Sequence, residues 1–208
     1  MTCCCHVMCG IINRKRRKFI LTGVESMPNL KKIIKTMSKK KHNISNNIVN
    51  KFSLLEDEIE FINQMDSLLT KEQCLSVMEE QGCAKTEKVS AKHREFGKEY
   101  SDKSIKEKVE LCSKLDTQHK GNCKINSDGT ITISFKYGEK GNFHCPCGPI
   151  RKTPKPCNIS LTYCGCCAGH MKYLYQYSLG VKLRLKEIVS SMANSDGEKP
   201  CEFIYEII

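Results

Sequence analysis

Fifteen of the 208 residues are cysteine, an odd number, and several stand too close together to bridge one another. Cys145-Pro-Cys147 and Cys164-Gly-Cys166-Cys167 are tight clusters, and a disulfide between such neighbours would close a strained ring. The pattern therefore differs from the wide, even spacing of a disulfide framework. It fits reduced thiols that gather a metal ion or carry out redox chemistry. Cys74, Cys83, Cys112, Cys123 and Cys157 lack that spacing and read as small buried hydrophobes.

The formal charge of +11 is unevenly distributed. Residues 1–50 hold eleven Lys and Arg against the single acid Glu25, whereas residues 51–208 hold 23 basic and 22 acidic side chains. Basicity thus belongs to a leader, expected to be a disordered tail over 1–50, and the region expected to fold is nearly neutral. Arg14 to Lys18 can neutralise phosphates without sequence preference, so the tail admits a non-specific anionic partner, nucleic acid or an acidic membrane surface. With few aromatics interleaved for base stacking, a solvated leader is the plainer reading. No run of apolar residues is long enough to span a bilayer. The N-terminus also lacks the order of a secretory signal, so the expected location is cytoplasmic.

From about residue 51 the pattern becomes periodic, and residues 51–208 read as one α+β domain. Leu54, Leu55, Ile59, Ile62, Met65 and Leu69 recur at helical spacing behind a Ser53–Glu56 capping box. Thr70-x-x-Gln73 opens a second helix ending by Gly82, and further helices are expected around Ala91–Tyr100 and Ile105–Leu115. After Gly121 the period changes. Asp128-Gly129 is a turn signal, Thr130–Tyr137 alternates as a strand, and Asn142–Ile150 is expected to return beside it. Cys164–Leu179 reads as a helix stopped by Gly180. A hairpin follows, Val181–Val189 and Cys201–Ile208 around Asn194–Gly197. N-terminal helices packed on a small antiparallel sheet, closed by a helix-strand-hairpin unit, is the expected architecture.

Zinc requires about four close ligands, and thiolates supply them well because they are soft donors. Cys164 and Cys167 are three apart on a helix, and Cys166 and His170 are four apart on another face. Cys145 and Cys147 point the same way if strand-like, with Gly148 leaving room for the backbone to turn. Any of these pairs can ligate. A thiolate near His170 also suits an activated nucleophile, although no third member of a triad can be named.

The stretch from Cys164 through Leu179-Gly180, Glu187 and Gly197-Glu-Lys-Pro-Cys201-Glu-Phe203 resembles the end of the 4-vinyl-reductase domain family. These small-molecule-binding domains are related in fold to the TRAPP vesicle-tethering subunits. The Cys-x-Cys-Cys-x-Gly-His segment is similar to that of certain cysteine-rich bacterial proteins, near a group of aminothiazoline-carboxylate hydrolases. The resemblance implies a structural zinc held by Cys164, Glu187 and Cys201. The remaining position falls on Ser190, a poor zinc ligand, so that either the site is lost or Cys145, Cys147 or Cys167 replaces it. It also implies a pocket for a small organic ligand between helices and sheet, with Tyr173, Leu174 and Tyr177 on the helix lining or supporting it. For these three, plain core packing is the competing reading. The expected partners are that ligand and a second copy of the chain as a homodimer. The alternative function is a hydrolase using a Cys thiolate or zinc-activated water.

Overall fold

The computed structural model describes residues 29–40, 58–82, 85–112, 115, 122–153 and 159–208. The Arg14–Lys18 run, the Ser53–Glu56 capping box, Cys83 and Cys157 lie outside them. Among the described residues are seven helices, α1 Leu30–Lys39, α2 Glu58–Leu68, α3 Lys71–Met78, α4 Glu87–Glu99, α5 Ile105–Cys112, α6 Gly148–Lys152 and α7 Gly165–Leu179. A 3-10 turn, Leu161–Cys164, leads into α7. The strands are β1 Asn122–Ile125, β2 Ile131–Phe135, β3 Gly138–Glu139, β4 Asn142–Phe143, β5 Leu183–Ser190 and β6 Cys201–Ile207.

The fold is α+β. Two hairpins, β1–β2 and β5–β6, join through their inner strands into an antiparallel sheet of order β1-β2-β6-β5. Ile131, Ile133 and Phe135 on β2 stand opposite Tyr205, Phe203 and Cys201 on β6, all buried. This face turns toward α7, where the Tyr205 hydroxyl donates to the Ala168 carbonyl at 2.8 Å. A register shift between Leu185 and Glu187 lets β5 place both Leu185 and Ile188 on the buried face, although they are three residues apart.

Helix α3 begins as its sequence dictates. Thr70 Oγ1 accepts from the Gln73 N–H, and the Gln73 side chain accepts from the Thr70 N–H. At its far end Glu79, 6% exposed, meets the open edge of the sheet. One carboxylate oxygen accepts from the Leu185 N–H at 2.8 Å and lies 3.2 Å from Lys172 Nζ on α7. A single acid therefore ties α3, α7 and β5 together. Close helix approach needs small residues elsewhere, since a Cβ on Gly169 would strike the Glu79 carbonyl and one on Gly97 the Tyr177 carbonyl.

Three expectations change. Residues 30–39, assigned by charge to the tail, form a helix with Ile33 and Met37 buried one turn apart and lysines on its outer side. Its Thr36 hydroxyl accepts from the Gln81 side chain at 3.1 Å. Residues 142–150 do not extend the main sheet, because Asn142 and Phe143 pair instead with Glu139 and Gly138 in a separate hairpin. The four-residue β1 also goes unanticipated, since only Cys123 within it is buried. No described helix is long and apolar enough to cross a membrane.

The buried Glu79 predicts that Glu79→Ala, which takes away the nearer carboxylate of Lys172 and the acceptor of the Leu185 N–H, lowers unfolding free energy by about 3 kcal/mol. A urea titration followed by circular dichroism measures this. Glu80→Ala, altering a neighbouring carboxylate that is largely exposed and 3.8 Å from Lys172, is expected to change stability by less than about 1 kcal/mol.

A candidate metal centre at the hairpin turn

The segment joining β5 to β6, residues 191–200, is a wound turn rather than a loose loop. Gly197 N–H donates to the Met192 carbonyl at 3.0 Å, and Ser195 N–H to that of Ser191 at 3.1 Å. Asp196 and Gly197 both adopt positive φ, 49° and 94°, reversing the chain so that Cys201 enters β6 beneath the turn.

Two other segments dock on this turn. The Phe143 N–H donates to the Gly197 carbonyl at 2.9 Å, bringing the end of β4 and the Cys145–Cys147 segment to it. Asn194 Nδ2 donates to the Ile159 carbonyl at 2.8 Å, fixing the approach to the 3-10 turn that ends at Cys164. Gly197 serves both backbone conformation and clearance, because a Cβ there would lie 2.5 Å from the Phe143 carbonyl oxygen.

Sulfur gathers where these segments meet. Cys164 and Cys201 are 4% and 2% exposed, and the charge on Cys201, Cys145 and Cys147 would be felt at Cys164. Cys145 is likewise felt at Cys201. Cys147 Sγ lies 3.7 Å from the hydroxyl of Tyr163, the residue before Cys164. Burial holds the Cys164 thiol well above its usual range, with Cys201 adding to the effect, and burial pushes Cys201 up to about 12. Opposing this, the Ser191 hydroxyl donates to Cys164 and the Met192 N–H to Cys201. Donors aimed at sulfur favour thiolates, the form that binds metal.

The donor set fits zinc, since four thiols from three segments supply soft ligands and two already have supporting donors. As placed, no group of three or more His, Cys, Asp and Glu among the described residues stands at ligating distance. Protonated thiols such as those of Cys164 and Cys201 have no attraction to draw them to ligation distance, and a cation would supply one.

The remaining candidate residues lie elsewhere. Glu187 stands opposite Ile204, on the sheet face away from Cys201, and its carboxylate pairs with Lys71 at 3.1 Å. Ser190 donates to the Pro200 carbonyl at 2.8 Å. Cys166 and His170 are buried on a side of α7 facing the segment after α3, where Lys85 senses Cys166 and Gly82 abuts the His170 backbone. Cys167, partly buried, is felt at Tyr205. Leu174 is core. Tyr173 and Tyr177 face α4, where Arg94 lies 3.7 Å from the Tyr177 ring centroid and donates to Ser90 at 2.9 Å.

A cleft of about 640 Å³ opens between α3 and the β5–β6 edge, with Lys71, Gln73, Ser76, Glu79, Arg184 and Glu206 among its lining residues. Tyr173, Leu174 and Tyr177 do not line it. Two sites were not legible in the sequence, this cleft and the supporting pair Ser191 and Met192. The latter sit at the hairpin turn four residues or fewer from the recognisable Asn194–Gly197 signal, which was the available clue.

Comparison of the chain with protein-family models finds no match, and comparison with curated proteins and with solved structures finds none either.

Gly197→Ala is expected to cost about 2 kcal/mol through strained φ and the contact with Phe143. Thermal melts test it, with Gly129→Ala as the comparison, where φ is also positive but nothing lies within 4 Å of the added carbon. The Gly197 variant should lose more stability than the Gly129 variant.

Proposed function

We propose that the chain is a zinc-stabilised small-molecule-binding domain of sensor or accessory type, with Cys145, Cys147, Cys164 and Cys201 holding the metal in a closed site. The observation supporting this reading is the meeting of these thiols at the 191–200 turn, with Ser191 and Met192 donating to two of the sulfurs. Zinc would supply charge to hold four thiolates together, bracing the hairpin against the segments before α6 and α7. The protein's own groups bury and orient two of the sulfurs, Cys164 and Cys201, while Cys145 and Cys147 are half-buried.

Within this reading Glu187 is replaced as a ligand by the 145–147 segment. The organic ligand would occupy the cleft between α3 and the sheet edge, where Leu75 and Leu185 stand beside ammonium, guanidinium, carboxylate and amide groups, a lining suited to a small molecule with both apolar and polar parts.

Elemental analysis of protein purified under reducing conditions is expected to give about one zinc per chain. Cys164→Ser and Cys201→Ser should each lose metal and melt at lower temperature, whereas Cys74→Ser should retain the zinc. Since the two buried thiols hold their protons, zinc uptake should release protons, and affinity should fall as pH is lowered. Fully folded, reduced protein that takes up no zinc would refute the reading.

A further inference from the structure

A second pair of thiols lies outside the proposed metal centre. Cys112 is the last residue of α5 and Cys123 the second of β1, and the two elements pack together. Both cysteines are buried, 3% and 7% exposed, and neither is in a disulfide. Their side chains hydrogen-bond to each other, and the charge of both would be felt at Tyr175 on α7. The Cys112 contact, together with burial, holds the Cys123 thiol well above its usual range. Cys123 is therefore protonated at neutral pH, and burial of both sulfurs makes the pair poorly suited to be an exposed nucleophile.

The two sulfurs are thus hydrogen-bonded neighbours, and a disulfide requires them to close to about 2.05 Å. One partner sits at a helix end, where the last carbonyls have no helical hydrogen bonds and the backbone adjusts most easily. The other lies on an edge strand, held by β2 on one side alone.

We propose that Cys112 and Cys123 form a reversible dithiol–disulfide couple that locks α5 to the β1 edge of the sheet. A low-molecular-weight disulfide is the oxidant. One cysteine sulfur, after losing its proton, attacks it, breaking its S–S bond and releasing one thiol. The second cysteine sulfur, also deprotonated, then displaces the mixed disulfide, forming the Cys112–Cys123 bond and releasing the other thiol. Two electrons and two protons pass from the pair to the small disulfide, and a dithiol reductant reverses both steps. Because the sulfurs are buried, exchange proceeds through local opening and takes hours. The couple lies at the opposite edge of the sheet from β5 and does not depend on zinc.

The test equilibrates the full chain, as purified, in glutathione buffers from reducing to oxidising, then blocks remaining thiols and maps tryptic peptides. Lys114 and Lys120 lie between the two cysteines, so trypsin separates them unless they are bonded. The expected result is a Cys112–Cys123-linked peptide that accumulates under oxidising conditions and disappears with dithiothreitol. Formation should raise the melting temperature by about 5 to 10 °C. Cys112→Ser and Cys123→Ser should each abolish that rise, and Cys74→Ser should preserve it. Recovery of both cysteines as blocked thiols after full equilibration, or their linkage to other cysteines, would overturn the proposal. The peptide readout uses the unaltered chain and is independent of whether either variant folds or the protein carries zinc.

Discussion

The wound turn between β5 and β6 is the constraint on which the carboxy-terminal lobe depends. Three segments far apart in sequence meet there, and backbone hydrogen bonding does much of the joining. Phe143 donates to Gly197, Asn194 donates to the Ile159 carbonyl, and Cys201 begins the strand that follows. Positive φ at Asp196 and Gly197 makes the turn compact enough for these contacts. Without that compactness, thiols at 145, 147, 164 and 201 have no reason to share one neighbourhood.

The helical layer holds this arrangement from behind. Tyr205 and Phe203 pack beneath α7, the Tyr205 hydroxyl reaches Ala168, and the close approach of Gly169 to the Glu79 carbonyl sets α7 against the end of α3. Cys164 precedes α7 directly, so the position of its sulfur follows from that packing. Thiols in so dry a place keep their protons unless something replaces the lost hydration. The Ser191 hydroxyl and Met192 N–H supply part of that replacement, and a bound cation would supply the remainder.

Elements carried by local chemistry were legible in the sequence. The Thr70–Gln73 capping box, the alternation of β2, the Gly180 stop and the hairpin turn each depend on residues within a few positions of one another. Helix α1 was obscured because six lysines of residues 31–41 dominate the charge count, while its apolar contribution rests on a few positions such as Ile33 and Met37. Strand β1 was obscured because a short edge strand with one buried residue carries almost no periodic signal. At the site, the clustered cysteines marked themselves by spacing. What spacing could not convey is which of them converge, because that depends on the Phe143–Gly197 contact across more than fifty residues. The face on which Glu187 falls depends on a register shift in β5, also invisible to a strict period of two.

X-ray absorption at the zinc edge of the zinc-loaded chain probes the central claim most directly. Four sulfur scatterers at about 2.3 Å, falling in number when Cys145 and Cys147 are replaced together by serine, are what the account requires. A shell dominated by nitrogen or oxygen, or a sulfur count unaffected by that double replacement, would contradict it.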